Sequence, residues 1–337
     1  KPMTLTQLIH LTYWSYVISQ QYPLYIDTTG YNTHPILRSG KLEYANIGEK
    51  DPIEWIWEAP LKKVRGIIFL AHGCSHSALD YWDRSDTCPI CIGLPEEKRI
   101  VEYALQRGYF VLAASSVDRQ SKCWDLKSDM ARVSTLISRI RMRKELQLEN
   151  VPFFALGVSS GGRFVAHMPL HIPDIRALVV QVMFVPPAVL LRDRKGQYPP
   201  SQWIVMTRDH RTTMAVRRTV NELSATGTYA SVIEVPPLPL TPSFFSNRIS
   251  ELAEDVSRDI YTRLSRNGLI DDHGYLHQDP RVSMWRIALM GMSGLNGDTL
   301  QSDLSPISEE MNVAYAQHEI TADYMAQSLD FFDSHTA

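Results

Sequence analysis

The chain has 337 residues, of which 44 % are hydrophobic and 21 % are charged, with a formal net charge of −3. This composition is typical of a globular protein and excludes disordered and fibrous classes. Nucleic-acid binding needs a clustered excess of Lys and Arg, so we expect no nucleic-acid partner. No apolar stretch approaches the length of a membrane span, and we expect no such span in this chain.

The chain starts with an irregular segment and continues with strands. Residues 1–40 show no regular pattern and are interpreted as an N-terminal extension, followed by a single domain over 41–337. The segments 41–47 and 53–58 alternate partly between apolar and polar residues, which predicts extended strands. The stretch VRGIIFLAHG, which starts at Val64, predicts a continuous buried strand.

Four cysteines lie in the first half of the chain. An even number allows two disulfides in an oxidising compartment and equally allows reduced thiols. Their clustering around adjacent strand ends predicts disulfide bonding, and the candidate pairs are Cys88 with Cys91 and Cys74 with Cys123. A C-x-x-C pair is also typical of zinc or redox sites. No second pair is present and the strand-to-helix setting is missing, so we expect no metal site and no cofactor.

The sequence leaves the compartment open. The cysteine pattern and a first residue other than Met favour the secretory pathway or an organelle lumen, with a targeting segment removed. The oligomeric state and the natural partner are also left open.

The middle of the chain alternates between helices and buried strands. Helices are predicted over Pro95–Arg107, closed by Gly108, and over Leu126–Leu146, whose apolar residues lie on one face. Further strands and a helix over Thr212–Ala225 follow the same alternation; these strands are YFVLAASS, PFFALG, RALVVQVMFV, SQWIVMTRD and ASVIEVPP. Such alternation predicts an α/β fold with a mostly parallel sheet covered by helices on both faces.

After Pro237 the pattern becomes helical. Helices are predicted over Phe244–Arg266 and over about Val282–Met290, with the turn-rich stretch DDHGYLHQDP between them. Residues 305–332 indicate two more helices, broken near His318. We interpret about 238–310 as a helical insertion of the same domain, ahead of the C-terminal helix, and expect it to form a cap or flank near the turn that follows the strand PFFALG.

The stretch PFFALGVSSGGRF contains the pattern G-x-S-x-G, from Gly157 to Gly161, with Ser159 at its centre. An apolar strand precedes the pattern and a short helix follows it. That setting is typical of the turn that presents a nucleophilic serine at the top of a parallel sheet. The alternative is a serine in a glycine-rich turn; the setting favours the nucleophile.

A serine hydroxyl needs a histidine to take its proton and a carboxylate to orient that histidine. In α/β-hydrolases the acid follows a later strand, and Asp209 ends the strand WIVMTRD in this position. Its other interpretation is the N-cap of the following helix. Asp193, after the preceding strand, is the reserve candidate for the acid.

The predicted histidine is His318, which begins HEITADYMAQSLDFF ahead of an amphipathic final helix. No histidine follows the last strand closely, and the other later ones are His273, His277 and His335. A histidine at the end of a helix with a structural hydrogen bond is the alternative for His318. The order Ser, Asp, His favours the catalytic role.

Two backbone N–H groups are candidates for an oxyanion hole. One belongs to Ser160, directly after the nucleophile, and the other to Cys74 in the loop AHGCSHS after the third strand. His72 and Gly73 allow a tight turn there. The Cys74 thiol has two interpretations: it faces the site, or it bonds to Cys123.

Five stretches resemble a group of plant and algal α/β-hydrolase-superfamily proteins of unassigned function: AHGC, CPICIGLPEEK, ALGVSSGG, YPPSQWIVMTRD and NVAYAQHEIT. The resemblance runs from about residue 60 to the end, and CPICIGLPEE is its most specific part. It implies an α/β-hydrolase fold with Ser159, Asp209 and His318 at the matching positions, and it implies no substrate. The long segment before His318 is unusual for hydrolases but is similar to the arrangement in this group.

The leading hypothesis is a serine hydrolase that acts on a small-molecule ester, thioester or amide through an acyl-enzyme. The alternative is a non-catalytic receptor or structural subunit with the same fold, because a fold does not settle a function. A redox function of Cys88 and Cys91 is a third hypothesis, which the absence of a redox-protein fold pattern around them disfavours.

Overall fold

The computed structural model describes residues 39–48, 52–192, 198–295, 300–301 and 305–336. All of them belong to one compact unit, Arg38–Ala337. The predicted extension over 1–40, except for its last two residues, lies outside the described residues, and so does the reserve acid Asp193. No helix within the described ranges has both the length and the apolar character needed to cross a membrane.

The described residues form a sheet of eight strands in the order β1-β2-β4-β3-β5-β6-β7-β8. The pairs β1–β2 and β2–β4 are antiparallel and all the other pairs are parallel. The strands are β1 Lys41–Ala45, β2 Ile53–Glu58, β3 Gly66–Ala71, β4 Tyr109–Ala114, β5 Phe153–Val158, β6 Ile175–Gln181, β7 Ser201–Met206 and β8 Ala230–Val235. Strands β3, β4 and β5 are buried throughout, as their continuous apolar sequences predict.

Helices cover both faces of the sheet. They are α1 Pro95–Arg107, α2 Leu126–Arg141, α3 Ser160–His167, α4 Pro187–Leu190, α5 His210–Ala225, α6 Phe244–Arg248, α7 Glu254–Arg266, α8 Trp285–Leu289, α9 Pro306–Tyr315 and α10 Met325–Asp333. Side chains alternate along β3, so that Ile67 and Phe69 join the core under α2, α3 and α5, whereas Ile68 and Leu70 join the core under α1 and α10. The chain has the predicted α/β-hydrolase fold.

The helix predicted over Leu126–Leu146 ends early, at Arg141. A separate 3-10 turn covers Lys144–Leu146. Arg143, before this turn, has an extended backbone and donates two hydrogen bonds to the Glu43 carboxylate of β1, at 2.9 and 2.5 Å. A contact with a strand far away in sequence therefore overrides the local helical pattern.

The segment predicted as one helix over Phe244–Arg266 is two helices, α6 and α7. The break follows Arg248, where Ile249 becomes extended and is buried in the apolar cluster of the insertion. The helix predicted over Val282–Met290 is reduced to α8, because the turn after Asp279 holds Val282 and Ser283. In the first place burial of Ile249 interrupts the helical periodicity, and in the second a local turn does.

Candidate active site

Ser159 sits in a strained turn between β5 and α3, with φ 51° and ψ −119°. A positive φ is unusual for a residue other than glycine and is typical of a nucleophile elbow. The flanking residues must be glycines, because a side chain does not fit at either position. A Cβ on Gly157 would lie 2.3 Å from the carbonyl oxygen of Gly161, and one on Gly161 would lie 2.2 Å from the carbonyl oxygen of Ala71.

The structure brings the three predicted catalytic residues together. Ser159 Oγ lies 3.0 Å from His318 Nε2, and His318 Nδ1 lies 3.4 Å from Asp209 Oδ2. The other oxygen of Asp209, Oδ1, accepts a hydrogen bond from the backbone N–H of Thr212 at 3.0 Å. The two interpretations of Asp209, acid partner and helix N-cap, therefore describe the same carboxylate.

The loop after α9 carries His318, and buried polar groups hold it in place. The side-chain amide of Gln181 forms two hydrogen bonds with the backbone of Thr321, at 3.0 and 2.9 Å. Glu96 accepts the backbone N–H of Ala322 at 2.7 Å. The carbonyl of Gln181 also accepts the Ser159 N–H at 3.0 Å, so one residue at the end of β6 is bonded to both the elbow and the histidine loop.

The other candidate histidines are not beside Ser159. His273 and His277 are absent from the described lining of the cavity at the elbow. The ring of His335, just past α10, has its Nδ1 2.8 Å from the carbonyl oxygen of Phe331. Among the described histidines, the geometry therefore selects His318 as the partner of Ser159.

The predicted oxyanion donors belong to Ser160, which follows Ser159 in the chain, and to Cys74. The N–H groups of Cys74 and Ser160 have no hydrogen-bond partner in the described part of the chain. Cys74 lines the cavity at the elbow. Ser75 next to it has φ 67°, and its N–H donates to Ser121 at 3.0 Å. The roles of both donors stay predictions, with the required N–H groups free.

The disulfide prediction is confirmed for both pairs. Cys74 is bonded to Cys123, and Cys88 is bonded to Cys91. The first bond ties the predicted oxyanion loop to the loop after β4. The second bond joins the two cysteines of the C-x-x-C pair, so their sulfurs are not free thiolates that could bind zinc. Among the described residues no group of His, Cys, Asp and Glu is arranged to hold a metal.

The ring of His72 links the predicted oxyanion loop to the loop after β4. Its buried Nε2 lies 3.1 Å from the Ser116 N–H, which it accepts, and its Nδ1 lies 2.7 Å from the carbonyl oxygen of Gly73. Burial lowers the pKa of His72 to about 4. The ring is therefore neutral and structural at neutral pH, with the proton on Nδ1.

A cavity of about 270 Å³ opens beside Ser159, and its lining includes ionisable side chains that the sequence analysis did not predict there. The lining residues with ionisable side chains, beyond His318, are His76, Glu97, Arg281 and Glu319. Sequence reasoning missed all four. Three of them have a local signal, because they lie in or next to motifs already singled out: the AHGCSHS loop, CPICIGLPEEK and HEIT. Arg281 has none.

Buried carboxyl groups lie between α1 and α9, and one of them, Glu97, also lines this cavity. Burial raises the pKa of Glu97 to about 7 and raises the pKa of Glu309 well above its ordinary value, and the two side chains are hydrogen-bonded to each other. The pKa of Glu96 is shifted in the opposite direction. Burial alone would raise its pKa, but the charges of Arg99 and Arg248 lower it to about 2. Neighbouring acids of one helix therefore differ in charge.

No protein-family model matches the chain, and no curated protein sequence does. It is similar to solved structures, including a carboxyl esterase from Bacillus coagulans, at 14 % identity over 59 % of this chain and 90 % of that chain, with a TM-score of 0.44. A dienelactone hydrolase from Anabaena variabilis is 17 % identical over 60 % of this chain and 88 % of its own, with a TM-score of 0.41. Such identities and TM-scores carry no argument about the reaction of this chain.

Proposed function

We propose that the protein is a serine hydrolase that cleaves an ester, thioester or amide through an acyl-enzyme. One observation carries the proposal: Ser159 Oγ lies 3.0 Å from His318 Nε2, within reach for proton transfer. Asp209 Oδ2 lies 3.4 Å from the other ring nitrogen of His318, Nδ1. This is the order of contacts that activates a serine hydroxyl.

In the proposed reaction Ser159 Oγ attacks the scissile carbonyl carbon while His318 Nε2 takes the hydroxyl proton. The proton then passes from His318 to the leaving group as the carbonyl–leaving-group bond breaks. Water, deprotonated by the same nitrogen, releases the acid and restores the serine. Asp209 stabilises the imidazolium that exists between these transfers.

The negative charge that develops on the carbonyl oxygen needs donors that are already in place. The N–H groups of Cys74 and Ser160 support this role, since neither has a partner among the described residues and Cys74 lines the same cavity as Ser159. The Cys74–Cys123 disulfide fixes one of the two donors without occupying its N–H. Removal of one such donor typically costs about 100-fold or more in turnover.

A serine-reactive fluorophosphonate tests the proposal. We expect labelling of the wild-type protein that is lost in Ser159→Ala and kept in Ser138→Ala, a serine on the exposed face of α2. Hydrolysis of an activated ester should fall at least about 1,000-fold in both Ser159→Ala and His318→Gln, since these residues act as a unit. His171→Gln, on the surface, is the matched control for the histidine.

A folded wild-type protein that is neither labelled nor active on activated esters would contradict the proposal and favour the non-catalytic alternative. If His318→Gln kept wild-type turnover while Ser159→Ala was inactive, the nucleophile would stand and the assignment of the base would be wrong.

A further inference from the structure

His76 forms a second histidine–carboxylate pair that faces the same cavity as Ser159. Its Nδ1 lies 3.1 Å from Asp80 Oδ2 and 3.8 Å from Glu97 Oε1. The ring lines the cavity, and its side chain keeps 14 % of its surface accessible. The proposed mechanism uses His318 and leaves this second imidazole without a role.

The position of His76 is fixed by its surroundings. The Cys74–Cys123 bond holds the loop on one side of it. On the other side Ser77 begins a 3-10 helix, Ala78–Tyr81, with a capping box in which Asp80 accepts the Ser77 N–H at 2.9 Å. Asp80 thus bonds both the loop backbone and the ring, and the ring is held in one orientation before any ligand arrives.

Two carboxylates at one ring nitrogen favour the charged, doubly protonated imidazole. Burial by itself would lower the pKa of His76, but its hydrogen bond to Asp80 and the charges of Glu97 and Asp80 raise it to about 9. At neutral pH both ring nitrogens therefore carry a proton. Nδ1–H donates to Asp80, and Nε2–H has no acceptor in the described part of the chain.

Glu319 and Asp80, two of the acids around the cavity, already accept hydrogen bonds, whereas Asp80 Oδ1 and Glu97 Oε2 accept none from the described residues. Glu319 accepts hydrogen bonds from Arg281 at 2.9 Å, from Asn312 at 3.0 Å and from the Ile320 N–H at 3.0 Å. Asp80 is bonded as described above, and Glu97 is paired with Glu309. The Nε2–H of His76 has no acceptor among the described residues and is therefore available to a ligand that enters the cavity.

We infer that His76 binds a carboxylate of the substrate, and that the enzyme prefers small half-esters of dicarboxylic acids; this inference rests on the proposed function. A charge-assisted hydrogen bond to a carboxylate is about twice as strong as a neutral one, and a volume of about 270 Å³ limits the acyl chain to a short one. His76 would thus set the distance between the substrate carboxylate and the scissile carbonyl at Ser159.

A matched pair of substrates tests the inference: monoethyl succinate and ethyl succinamate, which have nearly the same shape and differ by one negative charge. We expect wild-type kcat/KM to favour monoethyl succinate. In His76→Gln, which keeps a neutral N–H donor, the ratio of the two kcat/KM values should fall about 10- to 100-fold. The ratio in His171→Gln should equal that of the wild type.

A measurement on the wild type avoids any dependence on how His76→Gln folds. In 15N-labelled protein, added succinate should shift the Nε2 resonance of His76 and leave that of His171 unchanged. If both esters are cleaved, an unchanged ratio in folded His76→Gln or an unmoved His76 resonance would overturn the inference while the proposed function stands. If neither ester is cleaved and succinate still shifts His76, the carboxylate site stands and the proposed function fails.

Discussion

Asp209 uses its two carboxylate oxygens for two different neighbours. Oδ1 caps α5 at the Thr212 N–H, and Oδ2 faces His318 Nδ1. Asparagine is as good an N-cap as aspartate, but its amide cannot accept a proton from the ring in the same way and favours the wrong tautomer of the histidine. At the scale of one residue, stability and turnover can therefore be separated.

We expect Asp209→Asn to leave the free energy of unfolding within about 0.5 kcal/mol of the wild type. Hydrolysis of an activated ester should fall by roughly 100- to 10,000-fold, because the histidine loses its charge partner and its tautomer. Asp125→Asn is the control, since Asp125 caps α2 in the same way away from the cavity. Denaturant unfolding and steady-state kinetics give both quantities; a variant that unfolds readily and stays active would contradict the assignment.

Two helices, α1 and α9, meet at buried carboxyl groups. Glu97 of α1 is paired with Glu309 of α9, and both are buried. With a pKa near 7 in the folded protein and an ordinary value of 4.5, Glu97 binds a proton in the folded state that the unfolded chain releases. The stabilisation that this proton provides is therefore fully present below pH 4.5 and is lost as the pH rises through about 7.

We expect the wild-type free energy of unfolding to decrease between pH 5 and pH 7, by on the order of 2 kcal/mol from Glu97. Glu97→Gln should reduce this slope, because the amide stays neutral at every pH, while Glu309 and Glu310, whose pKa values burial also raises, keep the rest of it. Glu102→Gln, on the same helix and away from Glu309, should keep it. Urea unfolding at several pH values measures the slopes, and equal slopes in all three proteins would show that Glu97 does not carry the shifted proton.

On the scale of the whole molecule, the two disulfides differ in what they join. Cys74–Cys123 spans 49 positions and connects the predicted oxyanion loop to the loop after β4, whereas Cys88–Cys91 spans 3 positions within one loop. Because a longer closed loop restricts the unfolded chain more, the first bond should stabilise the fold by roughly 4 kcal/mol and the second by roughly 2 kcal/mol.

We therefore expect the double variant Cys74→Ala with Cys123→Ala to lose more stability than Cys88→Ala with Cys91→Ala. Only the first should also lower turnover, since it frees the loop that carries an oxyanion donor. Thermal melting and ester hydrolysis of both variants, under non-reducing conditions, measure these effects. Equal turnover in the two variants would argue against an oxyanion role for the Cys74 N–H.

The sequence by itself determined the parts that depend on local pattern. Apolar runs and helical spacing predicted the alternation of strands and helices, because each element buries its own periodic face. The elbow was readable for a similar reason, because its pattern lies within one strand-turn-helix unit and Gly157 is required by a contact inside that unit, although Gly161 is required by its contact with Ala71 of β3. The chain order of Ser159, Asp209 and His318 completed the predicted triad, and the structure places these residues in contact.

Only the tertiary structure decided what lies between distant segments. Residues at the ends of α2 and α6 bind partners that are far away in sequence and that no local pattern contains: Arg143, just after α2, binds Glu43, and Arg248 binds Glu310. The cavity likewise combines side chains from separate elements, and the charge of His76 depends on Asp80 and Glu97 being buried beside it. Burial and long-range pairing set these properties, so they follow from the folded chain and not from any single stretch of it.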